Sequence, residues 1–435
     1  MRPLLVRPSP IANESTTGYL LRLSDANGFA SLLDLDHLAR IEGGTAGIAS
    51  VGSMLPGTSL QSLRGSVTRF RHLKSRDPGG LDLNHWNGRR PRYCPLCLSS
   101  EPYWRGAWDL SLMVACPIHR TQLCDSCPSC CRPLSWRRRH LLTCDCGRRF
   151  ADTSAMKATD SCAAICTRLL AALTETPGQY PMLADVRGED LALSDFLAVC
   201  AFLGGYVSQT ASKPTKVANL DHISVATPIV QAAGGMLIGW PTEYHAFLRR
   251  VSEATAEGDT YTSLAKTFGY FYTSLYKRFC GSQFEFLRSE FDSFVRNEWV
   301  GQLARRNRRL SETTRMEHQW LPLTAAAKRL GVKRDAICAL ISKGAIKGQV
   351  RKTPSGRTMG TVSRDSLEVF RNEMRQRLTL TDVRRVLSLS RKRAYALLRS
   401  GELRPIGGPS IDGSTVWRFL QSDVHALESK IRGVV

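Results

Sequence analysis

Apolar residues recur three and four positions apart along much of the chain, a spacing that predicts a mainly α protein of several domains. Residues 159–299 read as a run of helices, with one polar, linker-like interruption, SQTASKPTKVANLDH, at 208–222. Further on, Leu264, Phe268, Phe271, Leu275 and Phe279 keep helical spacing across Gly269, so 261–279 predicts either a helix-turn-helix or two packed helices. Phe284, Leu287, Phe291, Phe294 and Trp299 predict another amphipathic helix, and RRNRRLSETTR (305–315) then reads as a basic, polar hinge.

The last third of the chain repeats itself. LTAAAKRLGVKRDAICALISKGAIK (323–347) aligns without a gap on LTDVRRVLSLSRKRAYALLRSGELR (380–404), a shift of 57 residues that pairs Thr324 with Thr381, Leu330 with Leu387, Leu340 with Leu397 and Gly344 with Gly401. Each copy predicts a short helix capped by its threonine, a turn at GVKRD or SLSRK, and a second amphipathic helix stopped by glycine. That order is a helix-turn-helix, whose second helix would enter a DNA major groove. GQVRKTPSGRTMGTV and PIGGPSIDGSTVWRF follow as expected β-hairpin wings, and closing helices are expected at 364–374 and 421–430. Tandem winged-helix domains are the result. Lys333 and Arg334 in the first copy, and Ser390, Arg391, Lys392 and Arg393 in the second, then stand at the start of the recognition helix, where side chains reach base edges and phosphates. Arg351, Lys352 and Arg357 in the first wing would straddle the DNA backbone. The alternative is a pair of protein-contact modules with a solvated basic face.

Charge favours DNA. Sixty Lys+Arg against 38 Asp+Glu give a net charge of +22, an excess suited to a polyanion partner. It is unevenly spread: residues 371–404 hold ten Lys/Arg against Glu373, Asp382 and Glu402. With 43% apolar and 23% charged residues the composition is globular, and 435 residues exceed one ordinary core. No apolar run reaches the roughly 18 residues a membrane span needs, and MRPLLVRPSP lacks the apolar core of a signal peptide. A cytoplasmic protein without membrane contact is expected.

Nine of the 14 cysteines lie between Cys94 and Cys146, mostly paired at short spacing, which in a reducing compartment means metal rather than cystine. Two sets of four ligands emerge: Cys94, Cys97, Cys116 and His119, then Cys127, Cys130, Cys144 and Cys146. A CxxC pair places two thiolates on one turn beside a common ion, and a second pair completes a tetrahedron, so two structural Zn2+ ions in small zinc-ribbon or knuckle modules are expected. Sequential sets are the simpler arrangement, with a cross-braced exchange of halves as the alternative. Cys124, Cys131 and His140 are spare.

Four protein ligands per set leave no open coordination position, which argues against catalytic zinc. Neither H-x-E nor H-E-x-x-H occurs, so deaminase and metalloprotease chemistry lose their general base, and no catalytic residue is assigned. Between the first two ligand pairs, Trp104, Trp108 and Leu112 are spaced as one stripe of a helix. Such a stripe packs the metal module against a neighbour; the alternative is a platform for stacked bases.

The opening RPSPIANESTTGYLLRLSDANG, with Glu14, Ser15, Leu20, Leu21, Arg22, Leu23, Asn27 and Gly28, together with RYCPLCLSSEPYWRGAWDLSLMVACPIHRTQLCDSCPSC and CDCG, resembles the TniQ family. These are target-selection components of certain bacterial transposons and of CRISPR-associated transposons. The resemblance covers about residues 1–150. It implies a non-enzymatic adaptor that marks a DNA target and recruits the transposon's AAA+ ATPase, which licenses a transposase on another chain. It also implies homodimers, and either direct recognition of double-stranded DNA or reliance on an RNA-guided CRISPR complex. The tandem tail, resembling excisionase or MerR-like winged helices, is a departure from shorter members. A helix-turn-helix transcription regulator containing zinc is the competing function. The expected domains are 1–91, 92–150 (double metal module), 151–300, a hinge at 301–320, and the repeats at 321–378 and 379–435.

Overall fold

The computed structural model describes residues 3–43, 51, 54–60, 63, 81, 85–174, 185–208, 219–256, 263–301, 303, 307–352, 356, 358–375, 377–411 and 415–433. The chain is mainly helical and divides into two units, Met1–Arg250 with Gly269–Glu290, and Val251–Phe268 with Phe291–Val435. Among the described residues no single helix is long and apolar enough to cross a membrane.

In the first unit, helix α1 (Thr16–Ala26) begins at Ser15, whose Oγ accepts from the Gly18 N–H at 3.2 Å and donates to Asp109 at 2.5 Å. Glu14 is fully buried and neutralised by Arg22 at 2.7 Å. Gly18 is required because any Cβ there would run into Trp104. Asn27 closes the helix by exchanging hydrogen bonds with the Val6 backbone, at 3.0 and 2.7 Å. The motif residues of the N-terminal stretch thus fasten α1 to the segment carrying Trp104 and Asp109, across the expected boundary at residue 91.

Two helices follow, α2 (Leu32–Gly43) and the short α3 (Pro95–Ser100). Next come α4 (Asp160–Thr174), α5 (Leu193–Ser208) and α6 (Ile223–Ile238), which pack on one another. Their approach is close enough to need glycine: a Cβ at Gly204 would strike the Ile229 carbonyl, and one at Gly234 would lie 2.7 Å from the Ser161 carbonyl. Of the linker expected at 208–222, residues 209–218 lie outside the described residues. Helices α7 (Thr242–Ala256), α8 (Leu264–Thr267), α9 (Gly269–Arg278) and α10 (Glu285–Asn297) continue the chain. At 261–279 the sequence offered a helix-turn-helix; α8 is a single turn of four residues, ended by Gly269 at φ +48°, and is too short for its first helix.

The second unit holds the last turn of α7 and all of α8, and takes up the chain again at Phe291 within α10. The stretch expected as a hinge is instead built onto it where described. In α11 (Glu312–Glu317), Ser311 and Thr314 bond to Asp292, and His318 stands 2.8 Å from the Val295 carbonyl.

Two copies of one unit follow. The first runs β1 (Trp320–Pro322), α12 (Leu323–Leu330), α13 (Arg334–Ser342), β2 (Gly348–Lys352), β3 (Thr358–Ser363) and α14 (Arg364–Arg375). The second runs β4 (Arg377–Thr379), α15 (Leu380–Val386), α16 (Arg391–Ser400), β5 (Arg418–Leu420) and α17 (Gln421–Arg432). The shift of 57 holds throughout: Trp320 to Arg377, Arg334 to Arg391, and Arg364 to Gln421. Core positions match too, with Ile346 and Val362 in one copy answered by Leu403 and Phe419 in the other. Gly331 and Ser388 hold the same left-handed turn between the helix pairs, at φ +67° and +52°.

Two local expectations fail. The caps are not Thr324 and Thr381, which lie inside their helices: α12 starts after Pro322 with no side-chain cap, and α15 is capped by Thr379 in a reciprocal box with Asp382. The wings also differ. The first is the expected hairpin, pairing Val350 with Gly360 in an antiparallel sheet of order β1-β3-β2. Among its described residues the second copy has only β4 against β5 and a single bridge from Gly407 to Arg418. Pro405 and Pro409 lack the N–H a ladder needs, and Gly408, at φ +157°, is pressed on the Trp417 ring, where no Cβ would fit.

Candidate metal centres and basic helices

The first cluster is made where α3 meets a tight turn. Cys94 precedes α3 and Cys97 lies within it, while CPIHR folds Cys116 and His119 back through Arg120, held at φ +52° with its N–H on the Cys116 carbonyl at 2.8 Å. CPSCC makes the same turn in the second cluster: Cys131 sits at φ +55° and its N–H reaches the Cys127 carbonyl at 2.9 Å. Gly147, at φ +88°, closes the Cys144–Cys146 turn. Knuckle turns need a left-handed residue, and Arg120 and Cys131 occupy it despite their Cβ.

In each set the ligand atoms all lie within 4.8 Å of one another: Cys94, Cys97, Cys116 and His119 in one, Cys127, Cys130, Cys144 and Cys146 in the other. The sets are therefore grouped in sequence order, not cross-braced. A metal–sulfur bond of about 2.3 Å implies tetrahedral edges of about 3.8 Å. Cys97 and Cys116 sulfurs are 3.5 Å apart, Cys97 is 3.2 Å from His119 Nδ1, and Cys94 and Cys116 are each 3.6 Å from it. In the second set Cys127–Cys146 is 3.6 Å and Cys130–Cys144 is 3.7 Å. These distances fit the edges of a metal-coordination tetrahedron and are much too long for disulfides. The donors, seven thiols and one imidazole, fit a soft or borderline divalent ion, and each set could hold one. Cys124 and Cys131 stand outside both sets, and His140 instead pairs with Asp25 at 3.0 Å.

Burial separates the clusters. Cys94, Cys97 and Cys116 are at most 1% exposed; in the second set Cys127 is as buried, Cys130 and Cys144 are half-buried and Cys146 is on the surface. The first cluster adjoins an aromatic core in which Trp104 meets Tyr93, Trp108, Trp136 and Phe150. Trp104, Trp108 and Leu112 are buried as a packing stripe should be, yet they are not on an α-helix. Gly106–Asp109 is a 3-10 turn, because Glu14 and Asn13 pair with Arg105 and Gly106 and hold the chain extended before it.

Two buried arginines complete the setting. Arg92, wholly enclosed, donates to the carbonyls of Ser111, Met113 and Leu220, and burial lowers its pKa to about 10. Arg138 donates to the Ser135 carbonyl at 2.8 Å and lies 4.5 Å from the Trp104 ring, with its pKa lowered by burial to about 9. Asp125 reaches the N-terminus of α6 at 3.0 Å from the Ile223 N–H. Buried Asp109, bonded to Ser15, has its carboxyl pKa raised by desolvation to about 8. No periodicity pointed to these residues; Arg92 and Arg138 stand in basic runs that read as solvated surface.

The residues singled out for DNA are set on two helix starts and one strand. Lys333 is exposed before α13 and Arg334, its first residue, is half-buried; Arg351 is half-buried and Lys352 exposed on β2, while Arg357 lies outside the described residues. Arg391, Lys392 and Arg393 form the exposed first turn of α16. Ser390 has a structural duty: its Oγ caps that helix on the Arg393 N–H at 3.3 Å. Asp335 offsets Lys333 and Arg334 in the first copy, whereas no acid interrupts Arg391–Lys392–Arg393 in the second.

Residues 5–123 match the TniQ family model, taking in α1, Tyr93, Trp104 and Trp108 of the aromatic core, and all four residues of the first cluster. A comparison with curated proteins gives no match.

Proposed function

From a chain that carries a TniQ-family region over residues 5–123, we propose a non-enzymatic target-selection adaptor for DNA transposition. It binds double-stranded DNA and recruits the transposon's AAA+ ATPase, and through it the transposase. The TniQ region carries the transposition part of this reading, and the bare basic turn Arg391–Lys392–Arg393 at the start of α16 carries the DNA part. Each repeat, 321–378 and 379–435, acts as a winged helix, the first with a hairpin wing and the second with a shortened one. Lys333, Arg334, Arg351, Lys352 and Arg357 supplement the second copy on the phosphates.

Two structural Zn2+ ions belong to this reading, one held by Cys94, Cys97, Cys116 and His119, the other by Cys127, Cys130, Cys144 and Cys146. Bound zinc supplies cross-linking of the knuckle turns. The chain's own residues do the rest: Thr121 Oγ1 steadies Cys94 at 3.3 Å, and the His119 N–H lies 3.4 Å from Cys116.

The test is binding of the full chain to duplex DNA and, separately, capture of a transposon AAA+ ATPase. Alanine at Arg391, Lys392 and Arg393 together should weaken DNA binding and flatten its salt dependence while ATPase capture persists. Unchanged affinity and slope would assign the repeats to protein contacts.

A further inference from the structure

The second metal module carries an arginine array that the reading above leaves unused. Between Arg132 and Arg149 stand six arginines and one acid, Asp145. Five of them, Arg132, Arg137, Arg139, Arg148 and Arg149, are exposed, and none forms an ion pair among the described residues. Other arginines of this basic chain find an acidic partner, as the exposed Arg385 does with Asp382 and Arg371 with Glu368. Five together without one form a concentrated, uncompensated field.

Their placement is set by the metal module. The Cys127 N–H donates to the Arg132 carbonyl at 3.0 Å and the Cys144 N–H to the Arg148 carbonyl at 2.9 Å, so one arginine leaves each knuckle. The two knuckles share one cluster, with sulfurs 3.6 and 3.7 Å apart, which brings those exits together. Arg149 is fixed by its bridge to Thr143, and Arg148 by the Asp152 carbonyl at 2.5 Å. In Arg137–Arg138–Arg139 only the middle residue is inside. The Arg138 guanidinium, 4.5 and 5.1 Å from the Trp104 and Trp136 rings, anchors the turn and leaves its neighbours outside.

We propose that this face of the second metal module binds the phosphate backbone of duplex DNA, as a site separate from the C-terminal repeats. Guanidinium groups bind phosphate oxygens in pairs, and a backbone already fixed by the cluster lowers the ordering cost of each contact. The short, metal-bound turns offer no recognition helix and no exposed aromatic ring for base stacking. The site therefore adds affinity and register without reading sequence.

This inference rests on the DNA-binding reading above, and one experiment separates the two. Binding of the full, metal-loaded chain to a duplex of several helical turns is followed by fluorescence anisotropy over a salt series. The chains compared are wild type, Arg137→Gln/Arg139→Gln, Arg148→Gln/Arg149→Gln, and the Arg391, Lys392, Arg393 alanine variant. Each module variant is expected to weaken binding to all duplex sequences alike, with about 0.9 lost from the log–log salt slope per phosphate contact removed. Metal content and unfolding temperature should stay at the wild-type values, and charge-preserving Arg→Lys versions should recover most of the slope.

Module variants that bind like wild type while the tail variant fails would overturn this site and leave the tail reading intact. The reverse result would sustain this site and overturn the tail assignment. Weakened binding to RNA of the same length with duplex DNA unmoved would overturn the proposal in favour of an RNA contact. If one pair of substitutions sheds its metal, the other pair decides, since the two lie on different turns.

Discussion

The two metal clusters are built from the same turn and differ in what surrounds them. CPIHR and CPSCC have the same left-handed residue after the last ligand and the same bond back to the first. Around the first cluster lie three buried cysteines, the Trp104 core and the α1 cap; the second reaches that core through Trp136 but exposes Cys146 and its arginines to solvent. The first is a fastener within a hydrophobic core, so its loss should spread. The second has one side on that core and one side in solvent, so its loss should do less damage.

The largest effect follows directly. Structural zinc contributes about 10–16 kcal/mol of apparent binding energy in finger peptides, and in such sites binding energy is folding energy. Cys116→Ser should abolish cooperative folding of the first unit, read as loss of its thermal transition and near-ultraviolet dichroism. Cys146→Ser should cost one ion, counted by metal analysis, while that transition survives. Equal damage from both would erase the distinction between fastener and periphery.

Next comes the link between the two regions. Arg138 belongs to the second module by sequence, yet its guanidinium is buried against Trp104 and donates to the Ser135, His140 and Leu141 backbone. Arg138→Ala removes charged hydrogen bonds and ring contacts together, and should cost about 3 kcal/mol in denaturant unfolding. A cost below about 1 kcal/mol would mean the modules stand independently.

How much of this was legible in the sequence depends on the period of the signal. The grouping of eight Cys and His side chains into two clusters was readable because CxxC spacing is a local geometric demand, and the 57-residue repeat was readable because both copies bury the same positions. The Trp104–Trp108–Leu112 stripe misled because spacing of four positions predicts burial on a helix and cannot see Glu14 and Asn13, some ninety residues earlier, pairing with Arg105 and Gly106. The second wing misled for the opposite reason. A repeat of core positions says nothing about Pro405 and Pro409, which repeat nothing in the first copy. Arg92, Asp109 and Arg138 were invisible because buried charge is defined by distant carbonyls, not by neighbours in sequence.

A smaller effect concerns Asp109, on the first cluster's side. Burial raises its folded pKa to about 8 from an ordinary 3.8, so the folded chain holds the proton more tightly than the unfolded one. Stability should therefore fall as pH rises from about 4 to about 8, then level off. Asp109→Asn keeps an acceptor for Ser15 and should remove that slope, so that its advantage over the wild type grows as pH rises towards 8. Thermal unfolding of both proteins across that range checks it; parallel curves would show that Asp109 is ionised throughout.

The smallest effect tests whether the first cluster's surroundings hold the ion as well as the fold. Thr121 Oγ1 is 3.3 Å from Cys94 Sγ, and Thr121 is buried. A thiolate that accepts this bond is relieved of part of its charge and is fixed in direction, so the hydroxyl should favour the metal-bound state. Thr121→Val keeps the volume and removes the donor. Affinity at the first cluster should drop about fivefold, close to 1 kcal/mol, in chelator competition, with the second cluster unmoved. If both clusters weakened together, the two sites would be coupled through the segment between Thr121 and Cys127, and the contrast between core and periphery would be one of exposure only.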